Sequence, residues 1–210
     1  MPWVGGVLEQ NAWPDNPKWR SQFVQSIRAL LERHPRLAGI HVNIEPCPSG
    51  NPSYLVLLEE IRRELPRGKL LSVAAYPPTM LLQPTLDVHW EEPYFRQVAA
   101  RSDQIAMMMY DTGLLSEKMY QSLMQSWTRE VIDWAGTTPV LLGIPAYDDA
   151  GVGYHHPRVE NIFNALLGIH GALGAFAAQP AHYQGVALYS EWEMNEPKWT
   201  QLREEFLSSP

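Results

Sequence analysis

The stretch Leu37–Glu45, with the sequence LAGIHVNIE, has the pattern of a buried strand that also carries a row of polar side chains. Successive side chains of a strand point to opposite faces. The isoleucines and the valine therefore share one face, and His41, Asn43 and Glu45 share the other. A buried polar group is costly unless it has a partner, so this face requires an enclosed polar network or a functional site. Glu45 ends the strand and is the first candidate for such a site.

Five further apolar runs occur along the chain, and segments with helical periodicity lie between the runs. The predicted strands are Pro2–Leu8, Leu37–Glu45, Leu70–Tyr76, Gln104–Tyr110, Pro139–Ala146 and Gln184–Tyr189. The predicted helices are Pro17–His34, Ser53–Leu65, Glu92–Arg101, Ser116–Trp134, Pro157–Ala177 and Glu196–Leu207. Strict alternation of strands and helices implies right-handed crossovers and parallel strands. The sequence therefore predicts an α/β protein with a single domain over residues 1–210.

Two features of the strands favour a (β/α) barrel of the TIM type over a doubly wound sheet. Alternate strand positions hold polar or small residues, whereas the strands of a doubly wound sheet are nearly continuous in apolar residues. Acids and aromatics follow nearly every strand, at the edge where the active sites of such barrels gather. These strand-end residues are Glu9, Glu45, Tyr76, Tyr110, Asp111, Tyr147, Asp148, Asp149, Tyr189, Glu191 and Trp192.

The composition argues against several classes of function. A net charge of −7 gives no basic surface for nucleic acid or for an anionic membrane. Cys47 is the only cysteine, so the chain can form neither an internal disulfide nor a cysteine metal cluster. Acids at 148–149 and histidines at 155–156 lack a recognised metal-ligand spacing, and no glycine-rich phosphate loop occurs. We therefore expect no metal and no cofactor.

The order and spacing of five motifs resemble glycoside hydrolase family 18, the chitinase and endo-β-N-acetylglucosaminidase barrels, over nearly the whole chain. Tyr189 stands where tryptophan is usual in that family. The matching segments are WVGG at 3–6 (family SxGG, third strand), GIHVNIE at 39–45 (DGxDxDxE, fourth), MMYD at 108–111 (MxYD, sixth), GIPAY at 143–147 (GxPxY, seventh) and GVALY at 185–189 (eighth).

The resemblance implies a mechanism in which the substrate's own acetamido group attacks the anomeric carbon, so that one protein carboxylic acid suffices. Glu45 would be the general acid and then the base that activates water. Tyr110 would hold the acetamido oxygen, and Asp111 would bind a sugar hydroxyl or help to steer the acid. The other expected substrate contacts are His41, Glu9, Tyr76, Tyr147, Asp148, Tyr189, Glu191 and Trp192.

Two family aspartates are replaced on the strand that carries Glu45. Asn43 stands where an aspartate orients the acetamide N–H, and His41 replaces an aspartate one step deeper. A neutral amide can hydrogen-bond to the oxazolinium ring that forms, but it cannot balance its positive charge. An Asn-x-Glu pair is nevertheless the arrangement ascribed to family 85 endo-β-N-acetylglucosaminidases. If His41 and Asn43 bond each other, the protonation of Glu45 would depend on desolvation.

Three functions remain open from the sequence. The first is a hydrolase acting on a β-linked, N-acetylated glycan, the second a catalytically silent carbohydrate-binding barrel, and the third an inactive fragment of a longer hydrolase. In a purely structural alternative, Glu45 pairs with a basic residue of an adjacent strand. The loop Pro77–Pro93, which contains Asp87 and Trp90, is either a binding loop or a cover over the helices.

Six strands are two fewer than a closed barrel of this kind contains. Because the motifs match the third to eighth units, the sequence predicts an incomplete barrel derived from a longer parent. The first and last strands would then have unpaired edges, which favour self-association. No segment has the pattern of a signal peptide or of a membrane span, so the chain as written is expected to be soluble and cytoplasmic, and any export signal would belong to the parent.

Overall fold

The computed structural model describes residues 1–80, 88–148 and 154–207. In these residues six strands alternate with six α-helices, and the strands are parallel and follow chain order in the sheet. The strands are β1 (Trp3–Val7), β2 (Gly39–Glu45), β3 (Leu70–Ala75), β4 (Gln104–Met108), β5 (Val140–Pro145) and β6 (Tyr183–Tyr189). The helices are α1 (Pro17–Arg33), α2 (Pro52–Glu64), α3 (Glu92–Ala99), α4 (Glu117–Ala135), α5 (Ile162–Leu173) and α6 (Glu196–Leu202). The predicted fold class, an α/β chain of six βα units, is confirmed.

The chain divides into two compact units. The first contains Met1–Ala106 and Trp134–Val140, and the second contains Met107–Asp133 and Leu141–Pro210. The single domain over residues 1–210 and the self-association through strand edges stay predictions. No helix within the described ranges is both long enough and apolar enough to cross a lipid bilayer.

In the first unit, β2 lies between β1 and β3 and carries the predicted alternation. Ile40, Val42 and Ile44 are buried, whereas the polar side chains between them are only partly buried on the opposite face. The register pairs Val7 with Glu45, so Glu45 lies at the carboxyl end of both strands. The apolar face of β2 thus fixes where its polar face projects.

Asparagine side chains set the beginnings of four helices. The side-chain oxygens accept backbone N–H groups in the first turn, which satisfies donors that have no partner inside the helix. In α1 and α2 a proline follows the cap, at a position where its missing N–H costs nothing. The capping residues of α1, α2, α5 and α6 are Asn16, Asn51, Asn161 and Asn195.

Two predicted helices are too long. The helix predicted at Pro157–Ala177 begins only at Ile162, because Asn161 accepts a hydrogen bond from the Asn164 N–H at 3.0 Å and so caps the first turn. It ends at Leu173, before Gly174. The last predicted helix, Glu196–Leu207, is α-helical only to Leu202 and continues as a π-helical turn over Arg203–Leu207.

Gly5 allows the backbones of β1 and β2 to approach closely beside the polar face. It pairs with Asn43, and a Cβ atom at this position would overlap the Asn43 carbonyl oxygen. A backbone atom cannot rotate out of the way as a side chain can. The first glycine of the Gly-Gly pair on β1 is therefore required by the close approach of β2.

We expect Gly5→Ala to lower the free energy of unfolding by about 2 kcal/mol, because the two strands must move apart to admit the methyl group. Denaturant unfolding followed by circular dichroism measures the loss as a lower midpoint at unchanged slope. Gly171→Ala is the matched control: its new Cβ would meet only the flexible side chain of Gln125, at 3.2 Å. Equal midpoints for the two variants would contradict the prediction.

Candidate functional site

Glu45 ends β2, and both of its carboxylate oxygens contact neutral hydrogen-bond donors. The side-chain amide of Asn43 donates to Oε1, and the Tyr76 hydroxyl makes a longer contact of 3.4 Å with Oε2. Within the described ranges, Glu45 takes part in no ion pair with a basic side chain. The peptide bond from Glu45 to Pro46 is cis.

His41 forms a hydrogen bond with Ser72 on β3. The His41–Asn43 hydrogen bond considered from the sequence is therefore not the one that the structure contains. Nδ1 lies 2.8 Å from Ser72 Oγ, and the same hydroxyl donates to Gln104 Oε1 at 3.0 Å. Since the hydroxyl hydrogen is used, Nδ1 carries the proton and donates. Burial, with a smaller contribution from the amino-terminal charge, lowers the pKa of His41 to about 4. The imidazole is therefore neutral at neutral pH.

Trp90 fixes the segment that follows Glu45. Its side chain is buried, and the indole N–H donates to the Cys47 carbonyl at 2.8 Å. The same ring packs edge-on against Tyr76 at 5.9 Å between centroids. These contacts favour the interpretation that this part of the predicted loop covers the helices and does not bind a ligand. Asp87, in the same loop, lies outside the described residues.

Two further groups of the first unit stay protonated. Burial raises the pKa of the Cys47 thiol to about 12, which makes it inert as a nucleophile. Burial, together with the negative charge of Glu45, also raises the pKa of Tyr76, so that its hydroxyl remains a donor. The predicted substrate contact Glu9 is exposed after β1, with a φ of 63°.

In the second unit, a cluster that we call the Asp111 cluster comprises Asp111, Tyr147, His155 and Glu160. The Tyr147 hydroxyl donates to Asp111 Oδ1, and its ring stacks on His155 at 4.0 Å between centroids. His155 Nε2 lies 3.2 Å from the Tyr147 carbonyl oxygen. Glu160 is fully buried, and its Oε2 accepts the Thr112 N–H at 3.0 Å.

His155 and Glu160 were missed as site residues by the sequence reasoning. His155 Nδ1 lies 3.4 Å from Asp111 Oδ1 and 3.8 Å from Glu160 Oε2. Burial alone would lower the pKa of His155, but the two carboxylates outweigh burial and raise it to about 9. The one signal in the sequence is the histidine pair at 155–156, whose spacing from the acids at 148–149 matches no recognised metal-ligand pattern. Of these, Asp148 is exposed and pairs with Lys198 at 2.6 Å, and Asp149 lies outside the described residues.

Three aromatic side chains of the second unit form a partly exposed group. Tyr110 stacks on Tyr189 with 5.0 Å between ring centroids and 10° between ring planes. Trp192 contacts Tyr189 edge-on at 6.2 Å and is 75% exposed. Glu191 is exposed in the same short 3-10 turn, Glu191–Glu193. Exposed aromatic faces of this kind suit the C–H faces of sugar rings.

Comparison with known proteins gives matches in structure alone. No protein-family model matches the sequence, and a search of characterised proteins finds no match either. A chitinase from Chromobacterium violaceum matches with a TM-score of 0.65 at 16% identity, over 99% of this chain and 80% of its own. The spore cortex-lytic enzyme SleL of Bacillus cereus matches with 0.62 at 13% identity, over 98% of this chain and 60% of its own.

A chitinase from Bacteroides thetaiotaomicron gives a TM-score of 0.57 at 14% identity, over 98% of this chain and 76% of its own. The chain shares the fold of these chitinases. The predicted incomplete (β/α) barrel is thus confirmed as a fold. The chain spans between 49% and 80% of the matched chains with TM-scores above 0.5.

The lowered pKa of His41 predicts a loss of stability in acid. In the unfolded chain His41 binds a proton near its ordinary pKa of 6.5, but in the folded chain it does so only near 4. Protons therefore favour the unfolded state as the pH falls through this window. We expect the free energy of unfolding to fall from pH 6.5 to pH 4, and to fall less steeply in His41→Gln.

Denaturant unfolding at a series of pH values measures this difference. His34→Gln is the control, because His34 is exposed and should keep the slope of the unsubstituted chain. Parallel curves for His41→Gln and the unsubstituted chain would show that His41 is not responsible.

Proposed function

We propose that the chain is a glycoside hydrolase domain that acts on a β-linked, N-acetylated glycan, with Glu45 as general acid and base. The observation that carries the proposal is the Glu45 carboxylate at the end of β2, held by the neutral donors Asn43 and Tyr76. A general acid must be held where it can reach the glycosidic oxygen. Asn43 and Tyr76 hold the Glu45 carboxyl group at the carboxyl end of β2, which suits this role.

In the proposed reaction, Glu45 gives its proton to the glycosidic oxygen while the bond from that oxygen to the anomeric carbon breaks. The carbonyl oxygen of the substrate's acetamido group attacks the same carbon and forms an oxazolinium ion. The Glu45 carboxylate then takes a proton from a water molecule whose oxygen attacks the anomeric carbon and opens the ring. The cycle consumes one water and returns Glu45 to its protonated form.

Asn43 can act on both the acid and the substrate. Its side-chain NH₂ donates to Glu45 Oε1, which holds the carboxyl group in place. Its side-chain oxygen is an acceptor and can receive the N–H of the acetamido group. That bond would orient the acetamido oxygen towards the anomeric carbon, as the family aspartate does.

For the second unit we propose a role in sugar binding. Tyr189 and Trp192 offer exposed aromatic faces, and Asp111 keeps Oδ2 for a sugar hydroxyl while Oδ1 accepts from Tyr147. Tyr110 would hold the acetamido oxygen, as the family resemblance implies. The assignments of His41, Glu9, Tyr76, Asp148 and Glu191 as substrate contacts stay predictions.

A second candidate function is carbohydrate binding without catalysis. The observation that favours it is that the polar face of β2 carries only neutral groups beside Glu45, since His41 is neutral and Asn43 is an amide. Such a face offers an oxazolinium ion no negative charge other than that of Glu45 itself. A silent barrel would bind the oligosaccharide but release no product on long incubation.

We expect Glu45→Gln to lower turnover of a fluorogenic β-linked N-acetylglucosamine oligosaccharide by roughly 10²- to 10⁴-fold, because the amide cannot donate or take the proton. Isothermal titration calorimetry should give oligosaccharide affinity within a few-fold of the unsubstituted chain. Glu64→Gln, an exposed change on α2, is the control and should leave turnover unaltered. Turnover of Glu45→Gln equal to that of the control would exclude Glu45 as the acid.

Asn43→Asp separates the two candidate functions. If the chain is a hydrolase, the new carboxylate should raise turnover. Because it is a like charge beside Glu45, it should also shift the alkaline limb of the pH–rate profile to higher pH. If the chain only binds carbohydrate, neither the unsubstituted chain nor this variant should release product. Initial rates across the pH range, with oligosaccharide affinity measured alongside, distinguish these outcomes.

A further inference from the structure

Three donor atoms of the Asp111 cluster converge on one point without bonding to one another. His155 Nδ1, a carboxylate oxygen of Asp111 and one of Glu160 all lie within 4.8 Å of each other. His155 Nδ1 is buried and has no hydrogen-bond partner among the described residues, and the same is true of Glu160 Oε1. Buried polar atoms in native proteins usually have hydrogen-bond partners, so these two atoms without partners require an explanation.

The charge of the cluster points to a cation. Glu160 is fully buried and His155 is almost fully buried, while Asp111 is partly exposed. Two carboxylates at this distance destabilise each other unless a positive charge lies between them. A proton on His155 Nδ1 could supply this charge, but Nδ1 is aligned for a hydrogen bond with neither carboxylate.

The distances fit a small, tetrahedrally coordinated ion. Zinc binds imidazole nitrogen and carboxylate oxygen at about 2.0–2.2 Å, so two donors of a tetrahedral site lie about 3.4 Å apart. The separations from Nδ1 to Asp111 Oδ1 and to Glu160 Oε2 are 3.4 and 3.8 Å. Ordinary hydrogen bonds between an imidazole and a carboxylate are shorter. All three donor atoms lie within 4.8 Å of one another, so the two carboxylates would have to move closer together around a bound ion.

Each of the three residues also makes a hydrogen bond to a neighbouring group, as metal ligands usually do. His155 Nε2 donates to the Tyr147 carbonyl and so keeps its proton, and Nδ1, which faces the carboxylates, is the nitrogen that would give up its proton to a metal ion. The Tyr147 hydroxyl donates to Asp111 Oδ1 and the Thr112 N–H donates to Glu160 Oε2, which fixes the orientation of both carboxylate groups, while Glu160 Oε1 has no partner among the described residues. A neutral histidine with its second nitrogen bonded to a backbone carbonyl is the common form of a metal-bound imidazole.

We propose that Asp111, His155 and Glu160 bind one divalent transition-metal ion of the zinc class. The imidazole donor distinguishes this site from those of Mg²⁺ and Ca²⁺, which prefer oxygen ligands throughout. Three protein ligands leave a fourth position for water or another ligand. The proposal concerns the second unit alone and does not depend on the proposed hydrolysis.

The test uses the full chain after removal of metal with a chelator. Titration calorimetry with Zn²⁺ should give one ion per chain, and Zn²⁺ should raise the melting temperature whereas Mg²⁺ should not. Co²⁺ should give a visible absorption spectrum that Zn²⁺ abolishes. Glu160→Gln and His155→Gln should each weaken Zn²⁺ binding at least tenfold.

Matched controls separate this site from exposed residues that bind zinc weakly. His156→Gln and Glu196→Gln change a neighbouring histidine and an exposed glutamate, and both variants should keep the Zn²⁺ affinity of the unsubstituted chain. Near-ultraviolet circular dichroism establishes that the cluster variants fold. Binding lost in His156→Gln but kept in folded Glu160→Gln would overturn the proposal, as would an unsubstituted chain that binds no Zn²⁺.

Discussion

The alternation of side chains along β2 constrains everything around it. Ile40, Val42 and Ile44 can be buried only if His41, Asn43 and Glu45 project to the other side of the strand. A shift of one residue in register would expose the first set and bury the second. The close pairing with β1 at Gly5 and the bond from His41 to Ser72 on β3 both oppose such a shift. The position of the proposed acid is thus determined by how the apolar core packs.

The two units place carboxylates in opposite environments. Glu45 is partly buried and meets an amide and a hydroxyl, both neutral. Glu160 is fully buried and lies close to a histidine and a second carboxylate. The first environment places no second charge beside the carboxylate. The second concentrates negative charge, which suits the retention of a cation.

Much of the fold could be predicted because it depends on local pattern. Apolar runs of strand length, prolines at helix starts and acids at strand ends are visible in the sequence, and they were sufficient to predict six parallel βα units. The bounds of α5 were not predicted, because the cap at Asn161 competes with an apolar periodicity that extends beyond it. The role of Glu160 was obscured for the same reason, since it lay inside the predicted helix. The bond from His41 to Ser72 depends on strand register, which composition and spacing do not reveal.

The asparagine caps of α1 and α2 have a consequence for the chemical ageing of the protein. Asparagine deamidates when the backbone nitrogen of the next residue attacks the side-chain amide and closes a succinimide ring. Asn16 and Asn51 are each followed by proline, whose nitrogen carries no hydrogen and cannot complete that reaction. The proline that favours the first turn of each helix therefore also protects the amide that caps it.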